Sequence, residues 1–199
     1  LNGADVRELP QKVLHDRVSF VPQASTLFFG TIRSNLLVGR PDATDEEIWA
    51  ALDMAQASDF IHSLDLGLDS IVEKAGGNFS GGQKQRLCIA RALLKEADVY
   101  VFDDSFSALD FKTDAAIRSA MRGRVRDAVT VIVAQRVSTV MNADLIAVLD
   151  NGMLAGVGAH EDLKHASGVI PQDMQFHIFN DGCSVYRQII ESQLYKEVA

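Results

Sequence analysis

The sequence predicts an α/β fold in which a mostly parallel sheet is flanked by helices and a helical subdomain is inserted. Strand-like runs at residues 97–104, 128–134 and 144–150 alternate with helical patterns, and Val, Ile and Leu occupy many of their positions. Such apolar strands are typical of parallel sheets. Residues 31–95 instead read as helices without strands. A chain of 199 residues is long enough for one domain with a sizeable core.

The first strand of the sheet is predicted at residues 17–22, where a short β-rich run ends in Pro22. Residues 1–6 before it read as strand, turn and strand. Gln23 follows Pro22 at the carboxyl end of the strand, which is the side on which open α/β sheets bind ligands. Taken alone, Gln23 indicates no more than a surface loop residue.

Two aromatic residues, Phe28 and Phe29, precede a Gly-Thr turn and a short helix that is predicted to end near residue 36. An exposed aromatic pair at this place would form a docking patch for a partner. The alternative is that both rings belong to the core. The sequence leaves these two readings open.

The middle of the chain carries clear helix signals. Residues 44–47 read Thr-Asp-Glu-Glu, which is a capping box with an acidic first turn, and they predict a helix that ends at Met54. Residues 57–62 continue as helix until Gly67 interrupts the pattern. We therefore expect a helical subdomain here.

Ser80, Gly81, Gly82 and Gln83 open a further helix, predicted at residues 84–94. A helix N-terminus that carries a hydroxyl group and two glycines is suited to binding an anion, because its N–H groups are free and no Cβ blocks the approach. Phosphate is the expected anion. The plainer interpretation is that Ser80 is an N-cap and the glycines form a turn.

The strand at residues 97–104 ends in two carboxylates, Asp103 and Asp104, and the strand at 128–134 is followed by Gln135. A helix is predicted between them at 113–122. Asn151-Gly152 predicts a hairpin that joins 144–150 to 153–157. A short helix at 160–164, an irregular segment at 166–183 and an amphipathic helix at 184–198 complete the chain.

Composition narrows the possible functions. The net charge of −8 argues against a nucleic-acid-binding surface. Two cysteines cannot form a disulfide framework, and no apolar run approaches membrane-spanning length.

The motifs together resemble those of the ATP-binding-cassette (ABC) ATPases. Residues 79–83 (Phe-Ser-Gly-Gly-Gln) resemble the family signature, and residues 99–103 resemble the Walker B strand, with four apolar residues before Asp103. Ser107-Ala108-Leu109-Asp110 is similar to the D-loop, and Gln23 to the Q-loop glutamine. The order and spacing of all four agree. Residues 27–32 and 45–48 resemble the exporter type, whose cassettes are fused to membrane helices.

The resemblance implies a P-loop-NTPase-like cassette that spans residues 1–199 as one incomplete domain. Its parts would be a helical subdomain at about 31–95 that includes the signature, a stretch from Walker B to the switch region at 96–165, an irregular insertion at 166–183 and a C-terminal helix at 184–199. The resemblance itself covers residues 1 to about 164.

The resemblance also implies roles for the motif residues, with ATP and Mg²⁺ as cofactors. Asp103 would hold Mg²⁺ directly or through water, and Gln23 would reach the same metal and the attacking water. Asp110 would pass information across a cassette dimer interface. The residues that would contact the γ-phosphate of ATP held by the opposite cassette are Ser80, Gly81, Gly82 and Gln83.

The same resemblance implies two partners and a location. A second cassette would complete each nucleotide site. Phe28 and Phe29 would lie where the coupling helices of a transmembrane domain dock, which places the chain at the cytoplasmic face of the cell membrane. No nucleic-acid partner is expected.

The sequence departs from the family pattern at three points. It contains no Gly-x-x-x-x-Gly-Lys-Ser/Thr loop, so we expect an N-terminally incomplete cassette that binds Mg-ATP poorly and is inactive alone. Asp104 stands at the place of the usual catalytic glutamate and is one methylene shorter, which places the general base badly. Gln135 stands at the place of the usual switch histidine and cannot take up a proton.

Asp104 and Gln135 together resemble the degenerate half of a heterodimeric exporter. Its own site would turn over slowly, while its Ser80-Gly81-Gly82-Gln83 segment would complete the competent site of the partner cassette. Two alternatives remain: a non-catalytic regulatory or remnant cassette, and a soluble ABC ATPase that acts on DNA or ribosomes. The acidic charge and the exporter-like residues 27–35 disfavour the latter.

Overall fold

A computed structural model describes residue 1, residues 3–164 and residues 182–197. These residues form two compact units, Leu1–Ala134 and Gln135–Ala199. The helices and strands of the first unit are α1 (Gln11–Arg17), β1 (Val18–Val21), β2 (Gly30–Thr31), α2 (Ile32–Leu37), α3 (Asp45–Met54), α4 (Ser58–His62), β3 (Ile71–Val72), α5 (Gly81–Leu94), β4 (Val99–Asp103), α6 (Phe111–Arg124) and β5 (Val129–Val133). Those of the second unit are α7 (Val137–Val140), β6 (Ile146–Asp150), β7 (Met153–Gly158), α8 (His160–Lys164) and α9 (Gly182–Glu197).

The first unit contains a parallel sheet with the strand order β1-β4-β5. In its register Val21 lies beside Phe102, and Asp103 lies beside Val133. The carboxyl ends of the three strands therefore meet at one edge. The predicted α/β class with a parallel sheet flanked by helices is confirmed.

Burial alternates along the strands of this sheet. Tyr100 and Phe102 on β4 are buried on the face toward α5, where the buried Ser19 hydroxyl donates to the carbonyl of Ala92 at 2.9 Å. The opposite face is apolar and exposed in the described part of the chain. Its exposed side chains are Phe20, Val129, Val131 and Val133.

Helices α2 and α3 pack against α5, and α4 packs against α3. These helices lie in the block of residues 31–95 that is predicted to be helical. The prediction that this block lacks strands is wrong, because Gly30–Thr31 pairs antiparallel with Ile71–Val72. The side chain of Asn78 holds this short ladder in place by accepting from the Glu73 N–H at 3.0 Å and donating to the Ile71 carbonyl at 2.8 Å. Val72 is fully buried, and β-branched residues such as valine are common in strands.

The N-terminal prediction of strand, turn and strand is also wrong. The side chain of Asp5 accepts from the backbone N–H of Arg7 at 2.9 Å, and this local hydrogen bond favours a turn over a strand. Pro10 then precedes α1, consistent with the preference of proline for helix starts.

The second unit is built on the predicted hairpin. Asn151 and Gly152 have φ values of 47° and 78°, as a two-residue hairpin turn with both central residues in the left-handed region requires. Ile146, Val148, Leu163 and Tyr186 form its apolar core. The C-terminal helix begins at Gly182, two residues before the predicted boundary; the remainder of the predicted irregular segment, residues 166–181, lies outside the described residues.

The packing around α5 generates a stability prediction. Leu93 on α5 has no exposed surface, whereas Leu66 in a turn is 64 % exposed. Leu93→Ala should lower the free energy of unfolding by about 2–5 kcal/mol, because it removes buried methyl groups and leaves a cavity. The same substitution at Leu66 should change it by no more than about 0.5 kcal/mol. Urea denaturation of the two variants checks this, and equal losses would contradict the assignment of α5 to the core.

Candidate functional site

Gln23 and Asp104 meet at the carboxyl edge of the parallel sheet. Gln23 follows Pro22 after β1, and Asp104 directly follows β4, the neighbouring strand. The side-chain amide Nε2 of Gln23 donates to Oδ2 of Asp104 at 3.4 Å. Asp103 is the last residue of β4 and directly precedes Asp104, and its side chain is partly buried. The sheet therefore brings an amide to the same edge as two carboxylates that lie about 80 residues later in the sequence.

The backbone at Asp104 is held in an uncommon conformation. Its φ of 44° lies in the left-handed region, which aspartate tolerates better than most residues that carry a Cβ. The Asp104 N–H donates to the carbonyl of Val133 at 2.9 Å, and the Ser107 hydroxyl donates to the Asp104 carbonyl at 2.8 Å. Residues held in such conformations cluster at functional sites. These two hydrogen bonds fix the backbone position from which the Asp104 side chain extends.

The buried hydroxyl of Ser105 joins the ends of β1 and β4. It donates to the carbonyl of Val21 at 3.0 Å, and its own chain has just left the sheet at Asp103. Ser105 has no exposed surface. This hydrogen bond keeps the segment that carries Gln23 against the segment that carries Asp104.

The Ser-Gly-Gly-Gln motif forms the start of α5. Ser80 and Gln83 make a reciprocal capping box: the Ser80 hydroxyl accepts from the Gln83 N–H at 3.2 Å, and the Gln83 side chain accepts from the Ser80 N–H at 2.9 Å. The N-cap interpretation of Ser80 is therefore correct as structure, and it is compatible with a phosphate-binding role because the same N-terminus points outward.

The two glycines of the motif have different surroundings. A Cβ at Gly81 would meet no atom within 4 Å, so this position is open toward solvent. A Cβ at Gly82 would lie 3.4 Å from the carbonyl oxygen of Ala108, in the segment that precedes Asp110. Glycine at 82 thus allows the start of α5 to approach the D-loop-like segment closely.

Asp110 is the N-cap of α6. Its carboxylate accepts from the Thr113 N–H at 2.9 Å and from the Thr113 hydroxyl at 2.7 Å. The backbone hydrogen bond from Thr113, followed by the side-chain one, holds the pKa of Asp110 below its ordinary value. The carboxylate is therefore kept ionised at the surface.

The aromatic pair before α2 lies at the surface, with Phe28 53 % and Phe29 78 % exposed. The alternative that both rings belong to the core is wrong. The buried side chain of Asn35 fixes their backbone: it accepts from the Phe28 N–H at 2.7 Å and donates to the carbonyls of Phe28 and Thr31, each at 2.9 Å. The guanidinium of Arg91 on α5 lies 5.5 Å from the centre of the Phe28 ring.

Several residues that hold these segments in place were missed by reasoning from the sequence. Asn35 lies between the buried Ile32 and Leu36 on α2, and a polar residue among core positions was the available signal. Gln85 is 3 % exposed on α5 and accepts a hydrogen bond from the Ser25 hydroxyl, which ties the segment after Gln23 to the helix that begins at Ser80. No local sequence pattern predicts the hydrogen bond between Ser25 and Gln85.

Gln135 belongs to the second unit and is exposed there. Its backbone carbonyl accepts from the side chain of Gln193 on α9 at 2.6 Å. The structure thus brings Gln23 together with Asp104. It also brings Gly82 close to Ala108, which lies in the segment before Asp110. The hydrogen bond between Gln193 and Gln135 lies within the second unit.

The residues at the sheet edge suit a magnesium nucleotide. Mg²⁺ in nucleotide sites is usually held by one or two carboxylates together with phosphate oxygens, and Asp103 at the end of β4 could supply one such carboxylate. The described residues contain no group of three or more His, Cys, Asp or Glu side chains able to hold a metal by themselves. Asp103 would share Mg²⁺ with the oxygens of a phosphate group.

Comparison with known protein families identifies the family of the chain. Residues 1–107, more than half of the chain, match the model of a family described as "ABC transporter". The chain belongs to the ABC transporter family.

The relatives of this ABC transporter chain include export proteins. It is 45 % identical over 166 residues to an uncharacterised ABC transporter ATP-binding protein of Mycobacterium bovis, covering 82 % of this chain and 28 % of that protein. It is 40 % identical over 168 residues to a putative multidrug export ATP-binding/permease protein of Staphylococcus aureus, covering 84 % and 29 %. The chain thus spans less than a third of these relatives.

A solved structure gives the same result for the fold. A bacterial Atm1-family ABC exporter with ATP bound superposes with a TM-score of 0.85 at 36 % identity, over 97 % of this chain and 31 % of that one. The fold is that of an ABC exporter cassette. Within the described residues, no helix has the length and apolar character that crossing a membrane requires.

The cap of α6 generates a pH prediction. Because the folded-state pKa of Asp110 is lowered, its ionised form stabilises the fold above the unfolded pKa, and this contribution disappears as the pH falls through the folded pKa. Asp110→Asn keeps a capping oxygen but cannot ionise. The melting temperature of the wild type should exceed that of Asp110→Asn at pH 7, and the difference should shrink below about pH 4.

Melting curves between pH 7 and pH 3 measure this difference. Asp65→Asn, in an exposed turn, serves as the control. A difference between wild type and Asp110→Asn that stayed constant with pH would refute the capping role of the charge.

Proposed function

We propose that this chain is the ATP-binding part of an ABC exporter, which couples ATP binding and hydrolysis at a cassette dimer interface to export across a membrane. The observation that carries the proposal is the meeting of Gln23 and Asp104 at the carboxyl edge of the sheet, in a fold that matches an exporter cassette. Family membership and the export proteins among its relatives support it.

The sheet edge would bind Mg-ATP. Asp103 would hold Mg²⁺ with Gln23 beside it, and Asp104 would act as the general base. The bound metal would neutralise phosphate charge, and Gln135 would donate a hydrogen bond to the γ-phosphate. The roles of Asp103, Asp104 and Gln23 use the carboxyl edge of the described parallel sheet.

The start of α5 would serve a second cassette. The open surface at Gly81 and the outward-facing N-terminus leave room for a phosphate group held by another chain. Ser80, Gly81, Gly82 and Gln83 would contact that phosphate, and Asp110 would lie at the same interface. In the capping box the Ser80 hydroxyl and the Gln83 side-chain oxygen act only as acceptors. The Ser80 O–H and the Gln83 NH₂ group would therefore be able to donate to that phosphate while the capping box stays in place.

Asp104 and Gln135 favour an asymmetric pair. A shorter base at 104 and an amide that cannot be protonated at 135 would make this chain's own site slow, while its Ser-Gly-Gly-Gln segment completes the competent site of the partner in a heterodimer. The same two residues also support the second candidate function, a non-catalytic cassette that regulates its partner. ATP turnover at this site separates the two.

Coupling to transport would use the exposed aromatic pair. Phe28 and Phe29 project from a backbone that Asn35 fixes, which gives a firm apolar surface for the coupling helices of a transmembrane domain. With this coupling the chain would lie at the cytoplasmic face of the membrane. The net charge of −8 leaves nucleic acid an unfavourable partner.

The trans role of α5 predicts the effect of Ser80→Arg in the complete transporter. A long cation at the helix start should block the opposing site sterically, so that ATP turnover falls by about tenfold or more. Ser119→Arg, at an exposed position on α6, is the matched control and should retain full turnover. The measurement is phosphate release by the reconstituted transporter. Unchanged hydrolysis in Ser80→Arg would show that Ser80 does not contact the nucleotide held by the opposite cassette.

The degenerate-site proposal predicts a gain of function. Asp104→Glu combined with Gln135→His in the full-length subunit should raise ATP turnover at this site, because the base gains reach and the switch position gains a titratable group. The partner site is inactivated beforehand so that single-site turnover is observed. A double variant no faster than the wild type would favour the regulatory cassette instead.

A further inference from the structure

The C-terminal helix α9 is anchored to the rest of the second unit at separate points along its length. The ring nitrogen Nδ1 of His160 and the hydroxyl of Tyr186 are 2.8 Å apart, and the Arg187 side chain donates to the Lys164 carbonyl at 3.0 Å. Tyr186 is buried with Ile146 and Val148 of the hairpin. The first turns of α9 are therefore fixed to α8 and to the β6–β7 hairpin.

Two turns further along, Gln193 contacts the segment that carries Gln135. Its amide Nε2 donates to the Gln135 carbonyl at 2.6 Å, and its Oε1 accepts from the Val137 N–H at 2.9 Å. One side-chain amide thus bridges the backbone on both sides of Arg136. A neighbouring β-strand could make the same two hydrogen bonds with its backbone, but here a side chain makes them.

The chemistry of the segment explains why an amide fits this place. Val137 is the first residue of α7, where backbone N–H groups need an acceptor from outside the helix. The N-cap position is occupied by Arg136, whose guanidinium has donors only and cannot accept from them. Gln193 supplies the acceptor from another helix, and its NH₂ group uses the carbonyl of Gln135 at the same time.

We propose that Gln193 is a positioning residue for Gln135: α9 fixes the backbone at residues 135 and 137, and through it the side chain that the proposed function assigns to the γ-phosphate of ATP. The inference rests on the proposed function, in which Gln135 contacts that phosphate. Gln193 itself does not touch the nucleotide; it acts through the backbone at residues 135 and 137. Displacement of α9 would therefore alter how the site distinguishes ATP from ADP.

The test compares nucleotide affinities in the full-length transporter. Photolabelling with 8-azido-ATP and 8-azido-ADP, quantified on the polypeptide that contains this chain, gives the affinity for each nucleotide. Gln193→Leu removes the bridging amide at nearly constant volume and should weaken ATP binding about three- to tenfold, with ADP binding unchanged. Gln188→Leu, the same substitution at an exposed position of α9, should change neither.

A second variant guards against a folding defect. Gln193→Glu keeps an acceptor for the Val137 N–H, but its carboxylate cannot donate to the Gln135 carbonyl and repels it. It should also lose ATP affinity while keeping ADP affinity. In a Gln135→Ala background, Gln193→Leu should cause no further loss, because the residue acts through Gln135.

The outcomes separate the inference from the proposed function. A wild-type preference for ATP that Gln193→Leu leaves intact overturns the inference alone. An equal loss of ATP and ADP affinity also overturns it, since a general structural defect would act on both nucleotides. A wild type that does not distinguish ATP from ADP, or whose preference survives Gln135→Ala, refutes the proposed role of Gln135 and the inference with it.

Discussion

The burial of α5 is the constraint on which the first unit depends. Its side chains are buried on nearly every side, since α2 and α3 cover one face and the parallel sheet covers another. A helix fixed in this way presents its N-terminus, with Ser80 and the two glycines, at a defined place. The segment after β1 is tied to the same helix, because Gln85 accepts from Ser25 and Arg91 donates to the carbonyl of Thr26 at 3.0 Å. The phosphate-suited helix start and the segment that bears Gln23 and Phe28 thus share one rigid support.

Side-chain amides hold the irregular segments that this architecture leaves between its elements. Asn35 binds the backbone at Phe28 and Thr31, Asn78 binds the short β2–β3 ladder, and Gln193 binds the backbone around Arg136. Each amide donates to a carbonyl and accepts from an N–H, so it replaces a missing backbone partner in both senses. Unlike a carboxylate or a histidine, it does so without a charge that varies with pH. The loops that carry Phe28 and Gln135 are therefore fixed by groups that do not titrate.

Signals that lie close together in the sequence predicted the structure well. The Thr44 capping box, the Asn151-Gly152 turn and the helix after Ser80 each depend on neighbouring residues, and each was found as predicted. The α/β class followed from strand and helix alternation. The strands β2 and β3 and the roles of Asn35 and Gln193 were not predicted, because their partners are set by the tertiary fold. Of the candidate site, the sequence predicted the residue types at the sheet edge, while the contact of Gln23 with Asp104 depends on strand order, which no local pattern contains.

The exposed face of the parallel sheet affects how the isolated chain behaves in solution. Phe20, Val129, Val131 and Val133 offer an apolar surface on a molecule whose net charge is −8. Apolar contact draws two copies together, and the negative charge on each copy pushes them apart. Salt screens the repulsion over about 10 Å at 0.1 M and leaves the apolar attraction in place. Dilute buffer should therefore keep preparations of this chain monodisperse, whereas concentrated salt should favour clustering.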